Sequence, residues 1–155
     1  MAIIADLMKT QMVTANPDES VVQVAQRMRD NAVGAVLLLK GDQLAGLFSE
    51  RDLLMRVVAP GKDPHRTRVG QVATREVVTV DEGTHIRQCA AIFRERGFRH
   101  LPVTRQGRPV GILSVRDFFS YVVEGLEGLI DQMRYQKSLD AGEDPYDHIG
   151  AGHTD

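Results

Sequence analysis

An internal repeat constrains this chain more than any other feature of its sequence. Val13-Thr14 and Val78-Thr79 stand 65 residues apart, and the two halves of the chain stay aligned at that spacing without a gap. Identities are few, but apolar character recurs at matching positions: Val21 with Ile86, Val24 with Cys89, Ala25 with Ala90, Met28 with Phe93, and Val36 with Leu101. The repeat predicts one fold built twice, with surfaces that have diverged.

Each copy predicts a helix, two strands and a second helix. Apolar residues at helical spacing form one face of the first helix, and short apolar runs bounded by turn residues are typical of buried strands. The predicted elements are a helix over 20–31, strands over 35–39 and 44–48 and a helix from 49, and in the second copy a helix over 84–96, strands over 100–104 and 109–113 and a helix from 114.

The domain boundaries follow from the repeat and from a linker at 59–64 that contains two prolines and a glycine. We expect the first unit over 1–60, the second over 61–137 with an extended last helix, and a flexible tail over 138–155. A unit of about 65 residues is marginal alone, so two copies are expected to pack through their sheets. Such packing leaves two related clefts where the units meet.

Composition excludes several classes of function. The chain has 155 residues and a formal net charge of −2, so no basic field attracts it to nucleic acid or anionic lipid. Its single cysteine, Cys89, excludes a disulfide framework and a multi-cysteine zinc site. There is no pattern of a signal peptide and no apolar run of about 20 residues. We therefore expect a cytoplasmic protein with no membrane or nucleic-acid partner.

The segment that best survives divergence is Gly-x-x-Ser-x-x-Asp, at Gly46 to Asp52 and again at Gly111 to Asp117. A strand ends there and a helix begins, and the free N–H groups of a helix start favour an anion such as phosphate. A carboxylate three residues after the serine can accept both hydroxyls of a ribose. The alternative is a capping box, in which serine and acid cap the helix for purely structural reasons.

A second candidate is the cationic pair Arg99-His100, at the start of an apolar strand. A cation beside a cleft suits phosphate binding. The alternative is a solvated strand end.

With these motifs, the chain resembles a tandem CBS domain pair over about residues 3–136. The resemblance rests on the ungapped repeat, the doubled Gly-x-x-Ser-x-x-Asp and the run Arg99-His100-Leu101-Pro102-Val103. It implies an α/β (α+β) fold of two β-α-β-β-α units, packed through their sheets with pseudo-two-fold symmetry. It also implies a homodimer and a regulatory ligand that contains adenosine: AMP, ADP, ATP, NAD or S-adenosylmethionine.

The resemblance also implies roles for particular residues in two clefts. In one cleft, Asp117 would hold the ribose, Ser114 would contact ribose or phosphate, and Arg99 and His100 would face the phosphate. Other residues would line the adenine slot or make backbone contacts: Ile112, Val13, Val33, Thr14 and Gly34. The second cleft would use Ser49, Asp52, Val78, Phe98 and Leu47. Arg116 lies beside Asp117 and would serve either phosphate binding or a salt bridge.

The two clefts are not expected to be equal. Gly34-Ala35 stands where the second copy has Arg99-His100, so the first copy supplies no cation at that position. On this ground the sequence ranks the cleft of Asp117 above the cleft of Asp52.

The function predicted from the sequence is a non-catalytic sensor that binds an adenosine ligand and signals to an unidentified protein. The alternative is a ligand-free scaffold for dimerisation. No spacing indicates a metal site or a catalytic triad, and no catalytic cofactor is expected. The apolar stripe over 118–133 is expected to form core and dimer contacts.

Overall fold

The computed structural model describes residues 2–142. Its first half contains strand β1 (Thr14–Ala15), helix α1 (Val21–Asn31) and strands β2 (Ala35–Lys40) and β3 (Gln43–Ser49), followed by the short helix α2 (Glu50–Asp52), which continues as a π-helical turn (Leu53–Val58). Its second half contains helix α3 (Val69–Val72), strand β4 (Val80–Asp81), helix α4 (Ile86–Arg96), strands β5 (His100–Arg105) and β6 (Arg108–Ser114) and helix α5 (Val115–Asp140). The mixed α and β content confirms the predicted fold class.

Each half carries a three-stranded sheet of the same topology. In the first sheet β1 runs parallel to β2 and β2 runs antiparallel to β3, and the second sheet repeats this with β4, β5 and β6. The register also repeats, since Leu38 pairs with Gly46 and Val103 pairs with Gly111. Strand β3 packs against β6, so the two sheets meet as the sequence predicted.

The core lies beneath the central strands. Residues 35–38 of β2 and 101–103 of β5 are buried, and the apolar face of α1 packs on the first sheet. The buried core side chains include Val21, Val24, Val36, Phe48, Cys89, Leu101 and Leu113. These are positions that periodicity marked as inward, because a helix period of 3.6 and a short apolar run each identify the face that avoids water.

Local sequence sets where the first helix starts and ends. Ser20 caps α1, since its hydroxyl accepts the Gln23 N–H (3.3 Å) and the Gln23 side chain accepts the Ser20 N–H (3.1 Å). The helix stops at Ala32, which takes a left-handed conformation with φ 52°. The predicted start and end are therefore correct.

Two segments pack against the copy to which they do not belong in sequence. The backbone N–H of Ile4 donates to Thr84 (2.8 Å), and the backbone N–H of Val69 donates to Glu19 (2.8 Å). Lys9 exchanges two backbone hydrogen bonds with Ile112, and 65 residues later Thr74 exchanges two with Leu47. The leading segments of the two copies are thus exchanged, as pseudo-two-fold symmetry requires.

The sequence missed short elements and placed some ends differently. Helix α3 and the two-residue strands β1 and β4 are too short to show a period. The last helix extends to Asp140, past the predicted start of the tail at 138. Residues 143–155, the rest of that predicted tail, lie outside the described residues.

By its own contacts, the described chain divides into two compact units, one ending at Val115 and one starting at Arg116. The first unit holds both sheets and the helices between them. The second contains α5, of which no residue is buried. No helix among residues 2–142 combines the length and the apolar character needed to cross a membrane.

Candidate functional site

The first Ser-x-x-Asp motif forms the junction between β3 and α2. The Ser49 hydroxyl accepts the Asp52 N–H (3.3 Å), and Asp52 Oδ2 accepts both the Ser49 N–H (3.0 Å) and the Ser49 Oγ–H (3.1 Å). This is a complete capping box, the structural alternative that the sequence left open. The cap fixes the carboxylate of Asp52, a residue that is only 7% exposed, at the start of the helix.

The second oxygen of Asp52 is less fully engaged. Oδ1 lies 3.6 Å from Nε of Arg56, one helical turn later, and Arg56 also donates to the carbonyl of Ala73 (2.9 Å). Among the described residues no hydrogen bond to Oδ1 is formed. A carboxylate oxygen can accept more than one hydrogen bond, so capping does not prevent Oδ1 from accepting ligand hydroxyls.

A cavity of about 410 Å³ opens at this junction. Its volume lies within the range of small-molecule pockets. One wall comes from the first copy, and the other comes from the leading segment (74–78) and the α4–β5 turn of the second copy. The lining residues are Gly34, Leu47, Ser49, Glu50, Arg51, Asp52, Met55, Arg56, Thr74, Glu76, Val77, Val78, Gly97, Phe98, Arg99 and His100.

The structure brings together every residue predicted for the Asp52 cleft. Ser49, Asp52, Leu47, Val78 and Phe98 all line this one cavity, although they are up to 51 positions apart in sequence. Their role in binding stays a prediction.

Arg99 and His100 line a cavity to which the sequence did not assign them. They were assigned to the cleft of Asp117, but both line the cavity that contains Ser49 and Asp52, and so does Gly34. The reason is tertiary, because packing of the sheets sets the α4–β5 turn of one copy against the β3–α2 junction of the other. Both residues also adjoin the second motif, because the Val115 N–H donates to the Arg99 carbonyl (2.9 Å) and His100 pairs with Ser114 between β5 and β6. The ranking of the two clefts therefore stays a prediction.

The other predicted residues lie in or beside strands and at the start of the last helix. Val13 and Val33 pack against the core of the first copy, and the Thr14 carbonyl accepts a hydrogen bond from Arg27 (2.9 Å). Ile112 lies in β6, Ser114 ends that strand, and Arg116 and Asp117 lie in the first turn of α5. Their part in ligand binding stays a prediction.

Comparison with known proteins identifies the family. The sequence model of the CBS domain matches residues 4–59 and again residues 69–124. The chain belongs to the CBS domain family. The two matches fall on the two repeated halves, so the family predicted from the sequence is confirmed.

Relatives share both sequence and fold with this CBS pair. CBS domain-containing protein YhcV of Bacillus subtilis is 28% identical over 117 residues, which cover 76% of this chain and 83% of YhcV. A CBS-domain containing protein from Agrobacterium tumefaciens has a TM-score of 0.72 at 29% identity, over 77% of this chain and 98% of its own. A CBS domain protein from Pyrobaculum aerophilum, solved in complex with AMP, has a TM-score of 0.69 at 28% identity, over 75% of this chain and 89% of its own.

The cavity of this CBS pair has charges of both signs on its walls. Arg51, Arg56 and Arg99 are its guanidinium groups, and Glu50, Asp52 and Glu76 are its carboxylates. Arg56 pairs with Asp52, whereas within residues 2–142 no ion pair is formed by Arg51, Arg99, Glu50 or Glu76. These four charged side chains are therefore available to contact a charged ligand.

Several lining residues of the CBS pair were missed by sequence reasoning. Arg56 could have been found, because it stands four residues after Asp52 on a predicted helix. Glu50 lies inside the motif, but the sequence reasoning gave it no role. Thr74 and Glu76 show no signal in the sequence, since they reach the cavity only through the exchange of leading segments.

Proposed function

We propose that this CBS pair is a regulatory module that binds an adenosine-containing ligand in the cavity of Ser49 and Asp52. The observation that carries the proposal is the meeting of two walls: a buried carboxylate from one copy and the Arg99-His100 pair from the other. The first suits a ribose and the second suits a phosphate. The AMP complex of the Pyrobaculum aerophilum protein supports this ligand class.

Signalling would arise from the position of the ligand between the copies. A ligand that contacts both walls stabilises one relative packing of the sheets over others, and a partner protein can detect that difference. The module would need no catalytic group or catalytic cofactor. The proposal includes the predicted cytoplasmic location and the homodimer.

The proposal is tested by calorimetric titration of AMP, ADP, ATP, NAD and S-adenosylmethionine, with thermal unfolding as a second readout. We expect at least one ligand to bind and to raise the midpoint of unfolding. Binding by none of the five to a verified ligand-free sample would refute the proposal.

Substitution of the two motif aspartates tests which cleft is used. We expect Asp52→Asn to weaken binding about 10- to 100-fold, because a hydrogen bond to a charged group is lost while the amide oxygen keeps the cap. Arg99→Ala should weaken ligands with phosphate, and Asp117→Asn is the matched control. A larger effect of Asp117→Asn would support the ranking made from the sequence, and an equal effect would contradict both rankings.

A ligand-free scaffold is the second candidate, and the complete capping box at Ser49 favours it. In that case Asp52→Ala lowers the stability of the empty protein, and none of the five ligands changes the midpoint of wild type or variant. Titration and unfolding of the same samples therefore separate the two candidates.

A further inference from the structure

Helix α5 presents a stripe of exposed apolar side chains that the proposed ligand site does not use. Phe119 is 66% exposed and Met133 is 64% exposed. Between them Val122, Leu126, Leu129 and Ile130 are also exposed. So much apolar surface on one helix is typical of an interface.

The stripe has the spacing of a coiled coil. Phe119, Leu126 and Met133 recur every seven residues, and so do Val122, Leu129 and Gln136, displaced by three. These are the a and d positions of a heptad repeat. The opposite face is polar at every turn, with Asp117, Ser120, Glu124, Glu127, Asp131, Arg134 and Ser138.

The helix also has poor stability by itself. It contains Gly125 and Gly128, each of which costs about 1 kcal/mol relative to alanine in a helix interior. A helix with no buried residue depends on its own propensity, which is marginal in water. The stripe therefore needs a cover to hold 26 residues helical.

The part of α5 that carries most of the stripe lies outside the repeated unit. The second CBS match ends at residue 124, and the equivalent helical segment of the first copy ends at Val58. The interface over 126–136 is therefore not part of the repeated unit.

We propose that α5 pairs with α5 of a second copy as a parallel, in-register, two-stranded coiled coil. A second copy presents the same seven-residue spacing. In a parallel, in-register pair Leu126 therefore packs in the same layer as Leu126 of the second copy. The inference rests on the homodimer in the proposed function and assigns it a surface.

Charge favours the parallel direction. In a parallel pair the flanking contacts join Phe118 with Val123, Gly125 with Ile130 and Gln132 with Lys137, and none of these sets like charges together. An antiparallel pair centred between Leu126 and Leu129 would set Arg116 against Lys137. Two cations at such flanking positions repel each other.

Disulfide trapping in the full chain tests the proposal. In a parallel pair the two residues at position 133 face each other within disulfide reach, so Met133→Cys should give a cross-linked dimer under mild oxidation. The control is Asp131→Cys, on the polar face. Burial raises the pKa of the Cys89 thiol, so the native cysteine should not compete.

A further change checks that the cross-link reports the coil. Leu129→Asp added to Met133→Cys should reduce the cross-linked fraction at least fivefold, because it places a charge in the adjacent layer. Cross-linking of Met133→Cys no faster than that of Asp131→Cys would overturn the parallel coil. Titration of AMP and ATP on the same variants keeps this result separate from ligand binding, because the lining of the proposed cavity includes no residue of α5.

Discussion

Two pairs of equivalent positions at the motif differ in charge between the copies. The backbone N–H of Glu50 donates to the carbonyl of Gly34 (2.9 Å), and 65 residues later Val115 donates to Arg99 (2.9 Å). The first copy therefore places a carboxylate where the second has an apolar side chain, and a glycine where the second has a cation. The Glu50 carboxylate lies over Gly34, with its carbon 3.3 Å from the position that a Cβ of residue 34 would occupy.

Glu50 is expected to select against ligands with a long polyphosphate. Its carboxylate lines the cavity beside the helix start, so each additional negative charge near it is repelled. We expect Glu50→Gln to improve ATP affinity relative to AMP about twofold to fivefold, the size of effect usual for an exposed charge. Calorimetric titration of both nucleotides measures this ratio.

The control for that experiment is Asp42→Asn, which removes the same charge from an exposed turn outside the cavity lining. If both variants change the ratio of ATP to AMP affinity equally, the effect comes from net charge and Glu50 has no selective role.

At the scale of elements, glycines at equivalent positions let the exchanged segments approach the sheets. A Cβ on Gly46 would stand 3.0 Å from the backbone oxygen of Thr74, and a Cβ on Gly111 would stand 2.9 Å from that of Lys9. The glycine of Gly-x-x-Ser-x-x-Asp is thus explained by a crossing strand. A glycine in a strand often marks such a close approach of another backbone.

Gly111→Ala is therefore expected to destabilise the fold by about 1 to 3 kcal/mol, the usual cost of overpacking. Besides the Lys9 oxygen, the new Cβ would meet the sulfur of Met8 at 2.7 Å. Urea unfolding of wild type and variant measures the difference in free energy.

Gly128→Ala is the matched control, since no atom lies within 4 Å of its added Cβ and it stands in a helix interior. It should leave stability unchanged or raise it by up to about 1 kcal/mol. Equal destabilisation by both substitutions would remove close approach as the explanation.

At the scale of the whole molecule, exchange of the leading segments couples the two copies. Residues 3–9 bond to the second copy and residues 67–74 bond to the first, so neither copy is complete without a segment of the other. Both copies up to Val115 form one compact unit. They are expected to unfold together.

A cavity in the second copy should therefore destabilise the first copy equally. Leu101 is fully buried in β5, and Leu101→Ala is expected to cost about 2 to 5 kcal/mol. Hydrogen exchange at the slowest amides of α1 and β2, which lie in the first copy, should accelerate. The expected factor is the one that corresponds to the loss in free energy of unfolding.

Leu54→Ala serves as the control because Leu54 is 56% exposed, and its effect on the same amides should be small. Unchanged protection of α1 and β2 in Leu101→Ala would show instead that the copies unfold independently.

The sequence by itself determined the repeated unit, its family, most of its helices and strands and much of its core. These follow from local periodicity, capping residues and the 65-residue spacing, all of which act within one copy. It also identified all five residues predicted for the Asp52 cleft, which line one cavity.

Tertiary structure decided which copy supplies each wall of that cavity. Arg99 and His100 belong to the same copy as Asp117, yet they line the cavity of Asp52. Likewise, Thr74 and Glu76 reach the cavity on an exchanged segment. Such placements depend on how two apolar sheets bury each other, and no local pattern encodes which turn then faces which helix start.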